Sequence, residues 1–395
     1  MVEFCLTDEQ LLLQRTACGF AEKQIRPVAE QIEKMDHNDP AAWDLTKGLL
    51  KKAKDLGFLT MYIPEEYGGG GGVGPVDGCI FSEEMGAVDL GLAMTLGATM
   101  GYPMFIMMAG TEEQRRKWLT EICTSDEVII LAGAQSEANV AGSELFCPYP
   151  DPKLGLKTYA KKEGDEYVIN GSKSAFITNA PIAKYCFLVC RTDMTKPPAE
   201  SMSFFYVPTD APGFSTGKRT ECMGMRTGFH SEIFLDNVRV PKECLLGREG
   251  DALRIMTRGL GGGSTYVGLA RAAYQYALNY AKERYSWGQP LTKHQAVALM
   301  LADMEIEIQA ARLLCWEAAW DGFTNRERAN PIKGIAAKVY AVDVATKTAQ
   351  NAVKILGAYG ITKEYKAEKF LRDAWMGYAC DFTGDLLRLR IAELL

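Results

Sequence analysis

The segment RDAWMGYACDFTGD (372–385) sets one carboxylate, Asp381, among apolar neighbours. A carboxylate withdrawn from water gains basicity, and such a group can take a proton from carbon, so Asp381 is the first candidate for general-base chemistry. Gly384 close by also suits an ordinary solvated turn, and the local residues leave both readings open. A second carboxylate, Asp89 in GAVDLGLA, could act as a base or could cap the apolar helix LGLAMTL that follows it. Arg284 opens RYSWGQPL. Its guanidinium can pair with a phosphate or complement a helix C-terminus, while Trp287 and Gly288 would shape a loop close to a ring or a backbone. In KILGAYGI (354–361), Gly357 and Gly360 could end a helix or let a flat or phosphorylated ligand approach the backbone. AQSEANVAGSE (134–144) gathers hydroxyls and small residues that suit either a turn or hydrogen bonds to a cofactor ring. The three histidines, His37, His230 and His294, have no GxSxG context, so acid–base work falls to carboxylates or to a cofactor.

These groups need elements to hold them. The chain has 395 residues, 47% hydrophobic and 24% charged, a balance that suits two or three globular domains. Residues 6–60 carry helical periodicity with Thr7 as an N-cap, enough for two or three helices. YGGGGGVGP (67–75) breaks that pattern; it contains GxGxxG from Gly69 to Gly74, but no strand precedes it, so it reads as a loop. Residues 82–110 are apolar nearly all round, as a buried helix would be. From Val128 to Pro241 short alternating segments such as EYVINGSK, YCFLVCRT and SFFYVP predict strands. Helical periods then return at 267–283, 294–322, 332–356 and 365–393, the makings of a four-helix bundle. The expected domains are 1–127 (helical), 128–241 (β) and 242–395 (helical bundle).

Several classes of function are disfavoured. Net charge is −6 with a pI near 5.4 and no long basic run, so neither nucleic acid nor an anionic membrane surface attracts the chain. The N-terminus lacks a signal-peptide pattern, and no stretch reads as a membrane span, so a soluble, cytoplasmic protein is expected. Eleven cysteines include no CxxC pair. Even Cys186 and Cys190 lack partners at zinc-ligand spacing, so no metal site is expected and the thiols read as buried and reduced.

Taken in order, IPEEYGG (63–69), SEANVAGSE (136–144), NGSKSAFITN (170–179), FLDNVRVP (234–241), RYSWGQPLTKHQ (284–295), ILGAYG (355–360) and RDA (372–374) resemble the acyl-CoA dehydrogenase family over nearly the whole chain. The resemblance implies an N-terminal helical domain, a middle β-barrel-like domain and a C-terminal four-helix bundle, with FAD between the last two. It implies a homotetramer built as a dimer of dimers, with Arg284, beside Trp287, reaching the FAD diphosphate of a neighbouring subunit. Ser136 and Thr178 would then contact the flavin ring, Phe176 would cover it, and Ser143 would sit on the thioester side. Gly357 and Gly360 would form part of the adenosine-diphosphate site, and Thr383 a further FAD contact. The implied reaction removes the weakly acidic α proton of an acyl-CoA thioester by a carboxylate while flavin N5 accepts a hydride from the β carbon. Hydrogen bonds to the thioester carbonyl stabilise the developing enolate. An electron-transfer flavoprotein would take the electrons.

The departures from the family pattern concern the acyl end. Where the family has Tyr-Glu-Gly-Thr after RDA, this chain has Cys380, Asp381, Phe382 and Thr383. The aligned base is thus an aspartate, shorter by one methylene or roughly 1.5 Å, and displacement of about 1 Å can cost on the order of a hundredfold in rate. Phe382 replaces a glycine. The stretch TRGLGGGSTYVGLARAAY (257–274) is shorter than usual and, with Arg258 its only arginine near the start, lacks the one that the resemblance sets beside the base, and both NGSKSAF and SEANVAGSE carry insertions. Glycines at 261–263 would widen the acyl pocket while Phe382 narrows it elsewhere, which suits a compact ring. The expected substrate is therefore a cyclic ester, a cyclohexane- or cyclohexene-carboxyl-CoA of the kind handled in anaerobic degradation. A same-fold flavin oxidase with an aspartate base, or a catalytically silent FAD-binding subunit, are the alternatives.

Overall fold

The computed structural model describes residues 5–72, 74–140, 147, 149–257, 263–325, 328–380 and 382–395. Thr7 starts the first helix with a reciprocal cap: its hydroxyl accepts from the Gln10 amide at 3.2 Å and the Gln10 side chain accepts from the Thr7 amide at 3.1 Å. Helices α1 (Asp8–Phe20) and α2 (Arg26–Ile32) run on through a π-helical turn at Ala21–Ile25, and α3 (Ala41–Asp55) follows. A 3-10 turn at Glu65–Tyr67 precedes the glycine-rich run, so the strand that a dinucleotide loop requires is missing there.

Next come α4 (Asp77–Gly86), α5 (Leu90–Gly101), α6 (Pro103–Ala109) and α7 (Glu112–Thr124). The buried helix expected over 82–110 is thus divided. Asp89 leaves helical geometry at φ −159° to cap α5, and Pro103, which has no N–H to donate, opens α6. By length and composition, the 20-residue stretch Leu90–Ala109 could cross a membrane, where the sequence reading found no such stretch. In the fold its Leu92, Leu96 and Met100 pack into a core with Ile169 and Leu188.

Strands follow: β1 (Leu131–Ala134), β2 (Tyr159–Glu163), β3 (Glu166–Thr178), β4 (Tyr185–Arg191), then the short α8 (Pro198–Ser201), β5 (Met202–Pro208), β6 (Phe214–Thr216), β7 (His230–Pro241) and β8 (Leu245–Leu246). They form one sheet in the order β6-β7-β3-β2-β4-β5-β8, with β1 pairing alongside β4 in parallel. After α9 (Ala252–Thr257) come α10 (Ser264–Glu283), the hairpin β9 (Tyr285–Ser286) and β10 (Gln289–Pro290), α11 (Gln295–Asn325), α12 (Pro331–Leu356), α13 (Ala367–Met376) and α14 (Gly384–Leu394). The single last helix expected over 365–393 is two helices separated by residues 377–383.

Strand β4 is apolar along its length because both its faces are covered. Cys186, Leu188 and Cys190 join a core with Phe20, Leu50 and Phe81 of the N-terminal helices. Phe187 and Val189, pointing the other way, join a second core with Trp118 of α7 and Val339 of α12. The sheet is therefore the layer to which the helical segments before and after it are fastened. Burial pushes the Cys186 and Cys190 thiols up to about 12, so they are inert packing residues.

Candidate functional site

The first set of site residues lies on an irregularity of the sheet. Lys173 of β3 pairs with Ile233 of β7 and Ile177 with Ser231, so Ser174, Ala175 and Phe176 oppose the single residue Glu232. Such a bulge bends the strand and re-aims its side chains; here Phe176 is left 65% exposed. The bulge is pinned from two sides. The Ser174 amide donates to the Ser136 carbonyl at 3.0 Å with the two hydroxyls 2.8 Å apart, and the Thr220 hydroxyl donates to the Ala175 carbonyl at 2.7 Å. Thr178, at the end of β3, lies 3.4 Å from Nδ1 of buried His230 through its hydroxyl. Desolvation, with Arg219 and His37 adding to it, pushes the His230 pKa down to about 4, so the ring is neutral near pH 7. Ser136, Phe176 and Thr178 thus occupy neighbouring positions: a bare aromatic face with hydroxyls beside it. That chemistry fits a flat ring with an apolar face and a polar edge, as a flavin has.

Beneath this edge is a buried ion pair that the sequence reading passed over. Lys173 and Glu137, each nearly inaccessible, meet at 3.0 Å, and Glu137 also accepts from the Lys157 amide at 2.7 Å and the Thr158 amide at 2.9 Å. Burial works against ionisation of Glu137, but Lys173 and these donors outweigh it and hold the carboxyl below its ordinary value. The pair ties SEANV to NGSKSAF. Both members stood in quoted motifs, yet nothing in either motif says that they meet.

Asp89 is an N-cap. Its Oδ1 accepts from the Leu92 amide at 2.9 Å and from the Thr227 hydroxyl, and its Oδ2 is ion-paired with Lys369 at 2.9 Å. With Oδ1 hydrogen-bonded and Oδ2 facing the Lys369 ammonium, this buried carboxylate serves the fold as a helix cap and an ion-pair partner. Lys369 also holds Asp373, whose other oxygen accepts from the Met225 amide at 2.7 Å. Arg372 meanwhile bonds Glu368, Glu33 and the Met223 carbonyl. The RDA motif therefore anchors α13 to the end of α2 and to the loop before β7.

Asp381 and Ser143 lie outside the described residues, as do Gly261 and Gly262. Gly263 is described, and a Cβ there would come within 2.7 Å of Cys315 Sγ and 2.9 Å of the Ala337 carbonyl. It brings helices together and opens no pocket. On either side of Asp381 the chain is firmly held. Phe382 adopts φ 75°, the left-handed region that favours glycine, the residue type that the family resemblance leads one to expect there. Its ring is 8% exposed and packs with Ile335 and Val339 of α12 and Leu387 of α14, so it is a core residue and not an open pocket wall. Burying a phenylalanine is worth about 1.5–3 kcal/mol, against roughly 1–2 kcal/mol for a left-handed residue, so the packing outweighs the strain. Thr383 caps α14, its hydroxyl accepting from the Leu386 amide at 3.4 Å.

A second set of residues lies at the C-terminal ends of α10 and α12. Arg284 ends α10, exposed, with its guanidinium 6.0 Å from the Tyr359 ring centre. The hairpin that follows turns at Trp287 (φ 48°) and Gly288 (φ 79°), leaving Trp287 95% exposed. Gly357 ends α12 at φ 62°. Gly360 is required by packing, since a Cβ would lie 2.4 Å from the Val353 carbonyl. An exposed cation, an exposed indole and a backbone turn are a suitable set for a polyanion joined to an aromatic base.

Family models for acyl-CoA dehydrogenases match the chain in three consecutive parts: the N-terminal domain over 7–126, the middle domain over 151–238 and the C-terminal domain over 257–395. A probable acyl-CoA dehydrogenase of Bacillus subtilis (strain 168) is 34% identical over 405 residues, covering 100% of both chains. Among solved structures, butyryl-CoA dehydrogenase from Megasphaera elsdenii superposes with a TM-score of 0.87 at 30% identity, covering 100% of this chain and 99% of that one. An acyl-CoA dehydrogenase complexed with FAD from Bacillus anthracis gives 0.87 at 27% identity, covering 100% and 68%.

Proposed function

The chain belongs to the acyl-CoA dehydrogenase family, whose members are FAD-dependent oxidoreductases, and from that premise we propose that it dehydrogenates a compact acyl-CoA thioester with Asp381 as the base. The single observation that carries this reading is that models of all three family domains match the chain in order, over 7–126, 151–238 and 257–395. FAD, when bound, supplies the hydride acceptor. The chain's own residues do the rest. The Phe176 ring would cover the flavin, the Ser136 and Thr178 hydroxyls would hydrogen-bond its edge, and Ser143 would meet the thioester side. Asp381, between apolar residues, takes the α proton.

Arg284, Trp287, Gly357 and Gly360 hold the diphosphate and adenosine. The family resemblance favours a cofactor shared between molecules, each chain lending its Arg284 end to a neighbour. An assembly is further supported by the stripe Leu299, Ile306, Leu313 and Trp320, exposed at seven-residue spacing along α11 while Leu301, Met304 and Ile308 face the core. The assembly proposed is a cytoplasmic homotetramer delivering electrons to an electron-transfer flavoprotein.

For the acyl group we keep a cyclic ester, cyclohexane- or cyclohexene-carboxyl-CoA, because a ring fixes the geometry of the two departing hydrogens and suits a base with a shorter reach. Anaerobic titration of flavin absorbance with butyryl-CoA, a branched ester and cyclohexanecarboxyl-CoA tests both levels. Bleaching by the cyclic ester, lost in Asp381→Asn, is the expected result. Bleaching by butyryl-CoA alone would replace the cyclic substrate with a short straight chain. No bleaching by any ester would overturn the proposed activity.

A further inference from the structure

We propose that His230 is a positioning residue for the flavin site: its imidazole turns the Thr178 hydroxyl so that the hydroxyl's own proton points at the cofactor's polar edge. The two residues are cross-strand partners, Thr178 closing β3 and His230 opening β7. Thr178 is half-buried, two positions beyond the exposed Phe176 ring, whereas His230 is 5% exposed. Among the described residues, the hydrogen-bond partner of the Thr178 hydroxyl is Nδ1 of His230, at 3.4 Å. A bond that long steers a hydroxyl more than it holds it.

Which way it steers depends on where the neutral imidazole keeps its one proton. Nε2 is enclosed and has no hydrogen-bond partner. A Cβ at Gly228 would come within 2.7 Å of that nitrogen, so the chain closes over it there. A proton on Nε2 would be a buried donor with nothing to accept it, the rarer of the two kinds of orphan. Arg219 adds to this, because its Nε donates to the Gly228 carbonyl at 3.0 Å and its positive charge disfavours an N–H on that side of the ring. The proton therefore sits on Nδ1 and is donated to Thr178. The Thr178 oxygen, having accepted it, keeps its O–H for a partner across the open face.

A flavin ring offers acceptors along its polar edge, and these gain negative charge when the ring takes up electrons. A donor aimed there favours the reduced ring over the oxidised one. The slot that holds the imidazole is itself tied down. The Thr220 amide donates to the His230 carbonyl at 2.8 Å, and Arg219 also bonds the His37 and Arg226 carbonyls and lies 4.5 Å over the Phe229 ring.

This inference rests on Thr178 facing the flavin, and the test separates the two. The natural chain, Thr178→Val, His230→Leu, His230→Asn and the double variant Thr178→Val with His230→Leu are prepared as FAD-loaded full-length protein. Flavin released on dilution is read by fluorescence, and the midpoint potential of the bound flavin is measured against reference dyes. Leucine removes the donor, and asparagine sets an amide where Nδ1 stands; His230→Met replaces His230→Leu if the latter does not fold. We expect His230→Leu to weaken FAD binding about twofold to tenfold. It should also disfavour the reduced flavin by up to about tenfold, a fall of about 30 mV for a two-electron couple. His230→Asn should recover most of both effects, and in the Thr178→Val background leucine should add almost nothing. A potential unmoved by His230→Leu, no recovery with asparagine, or equal shifts with and without Thr178 overturns the positioning role. An unchanged potential and affinity in Thr178→Val instead overturns the placement of Thr178 at the flavin, and the role of His230 with it.

Discussion

His230 shows how much one residue's surroundings can matter. The fold buries its imidazole beside Arg219 and His37, so its pKa falls from the ordinary 6.5 to about 4. A group that binds its proton less readily folded than unfolded favours the unfolded chain as pH falls through that interval. Stability therefore rises with pH between about 4 and 6.5, by about 3 kcal/mol at most from this residue. The carboxylate of Glu137, held below its ordinary value, is lost in a lower window, as pH falls through its folded pKa. The urea midpoint of the holoprotein should drop between pH 7 and pH 5 and should drop less in His230→Gln; equal drops would remove His230 from the account. Nothing in the sequence FHSEIF announces this, because the cause is burial, with Arg219 and His37 from separate segments adding to it. Thr7 is the opposite case: cap, box partner and helix start are within four consecutive residues, and the cap stands where it was expected.

At the scale of elements, β3 depends on an ion pair that crosses from one motif to another. Removing one partner leaves the other charged and buried, which costs about 3–5 kcal/mol. Lys173→Met should lower the thermal midpoint sharply and release FAD, whereas Lys173→Met with Glu137→Gln should recover part of the loss, as read by calorimetry and flavin absorbance. A double variant no better than the single one would show that the charge is not what matters there. The motifs were legible as sequence, but the register shift that exposes Phe176 was legible only as an insertion, since a bulge is set by β7 as much as by β3. The break in the last helix was missed for a related reason. Tertiary packing of Phe382 into the core with Val339 of α12 contributes to the break, while the start of α14 is set locally by the Thr383 cap. Gly263 likewise read as open space, because a glycine's neighbours from α11 and α12 are invisible in its own segment.

At the scale of the molecule, the exposed apolar stripe on α11 favours a second copy of the chain. A charge placed in its centre would be desolvated on association at a cost of several kcal/mol. Ile306→Asp should convert the assembly to smaller species by light scattering and, if cofactor sites are shared, should lower bound FAD as well. Dissociation with full FAD retention would confine each cofactor to one chain. The order of helices, sheet and helices was readable from the change of period along the sequence, whereas the way the sheet fastens both helical groups followed only from β4 having two covered faces.

Helix α12 carries Lys338, whose ammonium donates to the Phe382 carbonyl at 2.9 Å, toward one end and runs into the Gly357 turn at the other. It therefore sets both the spacing and the relative orientation of those two segments. One alanine inserted midway would lengthen it by about 1.5 Å and rotate one end against the other by about 100°. The ammonium and the glycine turn could no longer face their targets together. The helix serves as a gauge bar, tolerant of what its surface residues are and intolerant of how many there are.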